Sequence, residues 1–278
     1  MDFTAEFQRL LASEDAVVVS IESNQGSVPR EAGTWMAVFA NELVGTIGGG
    51  HVEFEAIAAA RTLLTAQKTA ESFSKRYVLG PSLGQCCGGV MTLRYQKVSV
   101  SGNEYAGQLL KESLKSVVQP VALFGGGHVG TALIRILSTL PMQVMWIDSR
   151  DEIFPTELPS NVVCEHSDPV QAAVNDLDVI SAGSQVLIMS FSHAEDLDIV
   201  AACLLRQRER ADLPFIGLIG SKTKWATFRH RLEDRGFSEA ELAHVTCPIG
   251  IDGVKGKEPE VIAVAVAAQL LKSHNFIA

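Results

Sequence analysis

The string Gly-Gly-Gly-His-Val occurs twice in the chain, at 48–52 and at 125–129. Each copy follows a short apolar run and opens a segment of helical periodicity. Glycines let a backbone approach a ligand closely, and the first N–H groups of a helix point at an anion in front of it. Two such turns suit one anionic ligand held by two lobes, or two ligands. They also suit two tight strand-to-helix turns with no ligand.

The second copy extends to Gly125-x-Gly127-x-x-Gly130, and Asp148 ends the next apolar run 18 residues past Gly130. A glycine-rich turn between strand and helix, with an acidic residue closing the following strand, is the dinucleotide-binding fingerprint. Gly125 makes the turn, Gly127 lets the backbone meet a pyrophosphate, and Gly130 lets the helix pack on the sheet. Asp148 is placed to accept a ribose hydroxyl. His128 either contacts the ligand or simply starts the helix. Such a unit can also hold other nucleotides or pterins, or serve as a scaffold.

The first copy differs at one position. Glu53 stands where the second copy has Gly130, so Gly48, Gly49 and Gly50 do not belong to a dinucleotide fingerprint. A carboxylate there either complements the positive end of a helix or reads paired N–H donors, such as the edge of a pterin or guanine. Ser27, Arg30 and Gly33 lie in a loop before a hairpin, and an Arg can grip phosphate or carboxylate through two parallel hydrogen bonds. Ser192-His193 and Ser221-Lys222 each follow an apolar run and precede a helical pattern. They either cap those helices or line a crevice at the strand ends, with Lys222 and Lys224 supplying positive charge. Cys86-Cys87 is followed by Gly88-Gly89. These thiols suit a soft metal or a nucleophilic role, or plain packing. Cys164, Cys203 and Cys247 read as core residues.

The elements that must position these residues follow from periodicity. A helix is expected over 4–12, strands over 16–23, 34–40 and 43–48, and a helix from Val52 to about Ala66. Strands over 72–79 and 90–100 bracket the loop 80–89. After a connecting stretch with one short helix, strands at 121–124, 143–148, 186–191 and 214–220 alternate with helices at 128–139, 194–210 and 222–235. A last helix covers about 259–272. Alternation of apolar strands and amphipathic helices indicates a parallel sheet covered on both faces. The expected class is therefore α/β: an N-terminal α+β domain (1–100), a linker with a short helix (101–119), and a Rossmann-like doubly wound domain (120–278).

Composition narrows the function. The 278 residues can bury two cores, and 47% are hydrophobic. The net charge of −9 argues against nucleic acid as a partner, because that contact runs on clustered Lys and Arg. No apolar run reaches membrane-spanning length. The start of the sequence lacks a basic, apolar leader. The odd number of cysteines without a CxxC pair suits a reduced, cytoplasmic setting.

In combination and order, these strings resemble the XdhC/CoxI family of molybdenum-hydroxylase accessory proteins. The matching segments are 26–38, 45–53, 87–89, 124–130, 147–150, 191–193, 216–225 and 247–271. The resemblance implies a chaperone rather than an enzyme. It implies binding of molybdenum cofactor (molybdopterin), protection of it while a cysteine desulfurase installs sulfur, and delivery to apo-xanthine dehydrogenase or a related hydroxylase. The family's motifs fall on Ser27, Pro29, Arg30, Gly48, Gly49, Gly50, Glu53, Cys87, Gly88 and Gly89, with Cys87 as a candidate molybdenum contact. The implied arrangement is a cleft that buries the cofactor between two lobes, in a homodimer, with a nucleotide as a further occupant of the Rossmann unit. The final loop departs from the family, since Gly253-Val254-Lys255-Gly256 replaces consecutive glycines. Two other readings stay open. One is a nicotinamide-dependent oxidoreductase using His193 or Lys222 as acid or base. The other is a ligand-free scaffold between desulfurase and hydroxylase.

Overall fold

A computed structural model describes residues 3–66, 72–79, 88–99 and 118–273. The chain divides into two compact units, Asp2–Ser116 and Val117–Ala278. Each has its own sheet.

The N-terminal unit begins with α1 (Phe3–Leu11), followed by strands β1 (Ala16–Gln25), β2 (Trp35–Val38) and β3 (Leu43–Gly45). Helix α2 (Gly50–Thr65) and strands β4 (Ser72–Val78) and β5 (Val90–Val98) complete it. The strands form an antiparallel sheet in the order β3-β2-β1-β5-β4. The continuous apolar run of β1 is explained by coverage on both faces. Val17, Val19 and Ile21 pack with Val52, Ala56, Ala60 and Leu63 of α2. Ala16 and Val18 share the opposite core with Phe7 and Leu10 of α1. Each fully buried Val, Ile or Leu contributes about 1.5–3 kcal/mol, so β1 anchors the unit. A register irregularity between Ile21 and Ser23 sets Gln25 opposite Val90. The end of β1 is thereby brought beside the start of β5.

The C-terminal unit holds strands β6 (Gln119–Phe124), β7 (Met142–Asp148), β8 (Val162–His166), β9 (Gln185–Ile188), β10 (Phe215–Leu218) and β11 (Val245–Thr246). Its helices are α3 (His128–Leu137), α4 (His193–Arg210), α5 (Lys222–Asp234), α6 (Glu239–Leu242) and α7 (Pro259–Ser273). All strand pairs are parallel, in the order β11-β10-β9-β6-β7-β8. This is the doubly wound Rossmann order, with its reversal between β6 and β9. Alternate residues of β6 serve opposite cores. Val121 and Leu123 face Leu133, Leu137, Val266 and Leu270, while Ala122 and Phe124 face Leu197, Val200, Leu204 and Leu232.

The α/β class is as the sequence reading has it. Strand β8 was not expected, because it lies at the sheet edge and carries a mixed pattern: Val162 is buried and Val163 exposed. Strand β11 is only two residues long, and α6 only four. The latter is nevertheless nucleated by a capping box between Ser238 and Glu241. The short helix expected in 101–119 lies outside the described residues, as does Cys86-Cys87.

Candidate functional site: two glycine turns

The second Gly-Gly-Gly-His-Val turn leaves β6 at the sheet's reversal point, where open α/β sheets bind ligands. Gly125 has φ 118°, and a methyl group there would lie 2.0 Å from the Met189 carbonyl oxygen. Only glycine fits between β6 and β9. A methyl on Gly130 would lie 2.1 Å from the Gly125 carbonyl oxygen, so Gly130 lets α3 sit tight against the turn. Gly127 is different: nothing lies within 4 Å of the position a side chain would take. No side chain caps α3. Its first-turn amides are therefore offered to the space in front of Gly127. His128 is exposed at the same edge.

Asp148 does not present a free carboxylate to a ribose. Its Oδ2 accepts from the Gly126 N–H at 2.6 Å and from Arg150 Nη2 at 2.8 Å. Its Oδ1 accepts from Arg150 Nε at 2.8 Å and from the Arg150 N–H at 3.0 Å. Burial alone would raise its pKa, but the hydrogen bonds from Arg150 and Gly126 outweigh that and hold it below the ordinary value. The carboxylate is a lock between the glycine turn and the end of β7. The guanidinium it holds is partly exposed, and its Cζ lies 4.6 Å from the ring centroid of Phe191.

The loops after β9 and β10 complete the crevice. Ser192 caps α4 by accepting from the Glu195 N–H, and Ser221 caps α5 by accepting from the Lys224 N–H. The two serines thus have capping roles at the strand ends. Glu195 accepts from Ser149 Oγ and from the Phe191 N–H, which fixes the loop after β9. His193 makes an edge contact with Phe228. Lys224 is spent internally, because its Nζ lies 2.6 Å from buried Asp196 and 2.8 Å from the Ile219 carbonyl oxygen. Lys222, by contrast, is exposed and has no ion pair among the described residues. Cys203 is buried, and burial pushes its thiol up to about 12. Cys247 is partly buried, with a thiol pushed up to about 11. Neither is a ready nucleophile at neutral pH.

The first turn is built otherwise. Gly48, Gly49 and Gly50 all have positive φ, at 119°, 77° and 74°. The Gly48 and Gly49 amides are not left open. Glu53 folds back so that its Oε2 accepts from Thr46 Oγ at 2.5 Å, the Ile47 N–H at 2.9 Å and the Gly49 N–H at 3.1 Å. Thr46 Oγ in turn accepts from the Gly48 N–H at 3.1 Å. The turn already holds an anion, and that anion is its own side chain. Around it the other motifs converge. A methyl on Gly48 would lie 2.8 Å from Pro29 Cβ and 3.2 Å from Arg30 Cγ. One on Gly89 would lie 2.3 Å from the Ser27 carbonyl oxygen, and one on Gly26 3.3 Å from Gly89 Cα. Ser27, Arg30, Gly48 and the Gly88-Gly89 pair thus form one cluster. Arg30 is exposed and has no hydrogen bond or ion pair among the described residues. Cys87 lies outside them.

Comparison with known proteins bears on both clusters. Residues 121–270 match the XdhC Rossmann domain. Residues 10–77 match the XdhC and CoxI family. The chain belongs to the XdhC family. A crystallised Bacillus halodurans protein, described as a xanthine dehydrogenase, shares the fold with a TM-score of 0.76 and 19% identity, over 98% of this chain and 96% of its own. The uncharacterised Escherichia coli protein YqeB is 26% identical over 261 residues, which is 93% of this chain. The chain spans only 43% of the length of YqeB.

In this XdhC-family chain the Rossmann match contains the whole second turn with its crevice. The XdhC and CoxI match contains the loop 26–30 and the first turn. Gly88 and Gly89 lie beyond it. Two residues of the crevice, Arg150 and Phe191, were not among the site candidates drawn from the sequence. The available signal was position: each follows a strand at its ligand-facing end. No helix among the described residues is long and apolar enough to cross a membrane.

Proposed function

We propose that this XdhC-family chain is a maturation factor for a molybdenum hydroxylase, and that it carries molybdenum cofactor as cargo. The observation that carries the reading is the open position at Gly127, in front of the uncapped α3, at the reversal point of the Rossmann sheet. Molybdopterin bears a phosphate, and a glycine turn feeding a helix is suited to that group. His128, His193 and Lys222 stand exposed as the first residues of α3, α4 and α5, and Ser192 and Ser221 cap the latter two helices. In the N-terminal unit, Arg30 is an exposed cation beside the first turn that an anionic cargo could meet. Cys87 follows in sequence as a candidate contact for the metal end. When bound, the cargo supplies a molybdenum centre whose sulfur ligand a cysteine desulfurase would install. The chain's own part is to bind it, shield it and release it to an apo-hydroxylase such as xanthine dehydrogenase. A homodimer acting in the cytoplasm belongs to the same proposal.

As a reader of the pterin edge, Glu53 would have only its Oε1 to offer, since its Oε2 already accepts three hydrogen bonds from its own turn. The rival reading of a nicotinamide-dependent oxidoreductase is weakened in the same way. Its ribose reader would be Asp148, and both oxygens of that carboxylate are engaged within the protein.

The test is chemical. Protein purified anaerobically from a host that makes the cofactor is denatured, and the released material is oxidised. Pterin fluorescence and molybdenum in near-equal amounts are expected. Absence of both, even after incubation with excess free cofactor, would overturn the reading.

A further inference from the structure

The Rossmann crevice contains a feature that neither the glycine turn nor the family match explains. Phe191 stands 67% exposed immediately after β9, where a large apolar ring ought to be covered. It is not loosely held. Its N–H is bound at 3.1 Å by Glu195, and one side of its ring meets the Arg150 guanidinium at 4.6 Å. Arg150 is in turn held by two side-chain hydrogen bonds to Asp148, whose Oδ2 also takes the Gly126 N–H. A continuous set of contacts therefore runs from the glycine turn through Asp148 and Arg150 to an exposed aromatic face. The guanidinium has five N–H donors, and the side-chain pair with Asp148 uses two of them.

We propose that Phe191 and Arg150 form the ring-binding face of the Rossmann crevice. The ligand class is a phosphorylated planar nitrogen heterocycle, with its phosphate before Gly127 and its ring stacked at Phe191. Flat electron-rich rings stack on both Phe and Arg planes. Both surfaces are fixed before binding, so little order is lost on contact. Charge excludes the simpler alternative of a second phosphate at Arg150. Asp148 and Glu195 flank the guanidinium with two carboxylates, and a dianion gains little there, whereas a neutral ring does not suffer from them. Because Asp148 is engaged, recognition rests on ring and phosphate rather than on a ribose diol. A nucleotide base and a pterin both meet that requirement. The inference extends the carrier reading to the ring-binding residues, and small probes test it separately from delivery of cofactor.

The experiment titrates the full chain with adenosine monophosphate, neopterin monophosphate and ribose 5-phosphate by calorimetry. One or both ring-bearing probes are expected to bind at least about ten-fold tighter than ribose 5-phosphate. Which of the two binds tighter identifies the source of the ring. Phe191→Ala should abolish that advantage and leave ribose 5-phosphate unaffected, while Phe191→Tyr retains it. Arg150→Lys, which removes the guanidinium plane, should also diminish the advantage, and an undiminished advantage there would overturn the part assigned to Arg150. Equal affinity for all three probes, no binding of either ring-bearing probe at millimolar concentration, or an advantage that survives Phe191→Ala would overturn the proposal. An exposed side chain such as Phe191 can be truncated without unfolding the unit, which thermal denaturation of the variant checks.

Discussion

The two Gly-Gly-Gly-His-Val turns are identical over five residues and differ in the carboxylate that holds each: Glu53, from the first turn of α2, takes the Gly49 N–H, and Asp148, from the end of β7, takes the equivalent Gly126 N–H. In the first, Glu53 lies over the turn and its carboxylate takes the N–H groups of Ile47 and Gly49. In the second, Gly130 occupies the corresponding position and the space at Gly127 is open, while neither α2 nor α3 has a side-chain cap. One residue three places beyond the last shared glycine decides whether the helix's own first turn places a carboxylate over the glycines. The same local string is therefore held in two different ways.

Four changes sharpen or break this contrast. The largest effect is expected from Gly125→Ala, which puts a methyl 2.0 Å from the Met189 carbonyl oxygen at a φ of 118°. A loss of about 4 kcal/mol or more, seen as failure of the Rossmann unit to fold in denaturant titration, is expected. Asp148→Asn should cost about 2 kcal/mol at neutral pH, because it removes the ionic partner of Arg150 and weakens the bond from the Gly126 N–H. The sign of its pH dependence is fixed by the lowered pKa of Asp148. Its contribution is fully present above the ordinary carboxylate pKa of 3.8 and is lost as pH falls through the lower folded value. Wild type and Asp148→Asn should therefore converge in stability in strong acid. Glu53→Ala should cost about 1–2 kcal/mol in the N-terminal unit, the range for loss of a helix-start acceptor. The smallest stability effect belongs to Gly127→Ser. Its φ of −70° is open to any residue, and a serine hydroxyl would cap α3 for a gain of a few tenths of a kcal/mol over the present glycine. By filling the amides it should also weaken phosphate binding. Gly127→Ser should thus move stability and binding in opposite directions.

Much of the Rossmann unit was legible because its signals are local. Gly125 and Gly130 each meet a distinct steric requirement, and strands such as 121–124 are apolar throughout because both faces are covered. Strand β8 escaped because an edge strand needs only one buried valine, Val162. The site was less legible than the fold. Asp148 has the residue type and position of a ribose reader, yet Arg150, two residues on, captures it. Glu53 is likewise a carboxylate beside a glycine turn, and only its backward fold distinguishes a lock from a ligand contact. Spacing in sequence places a charged group near a turn. It does not show which partner that group has already found.

The most direct measurement is a titration of uniformly nitrogen-15-labelled protein with inorganic pyrophosphate, followed through the backbone amide signals of the two turns. The expected result is saturable shifts at Gly127, His128, Val129 and Gly130, with Gly48, Gly49 and Gly50 unmoved. Shifts confined to the first turn, or none at either, would contradict the assignment of the second turn as the open one.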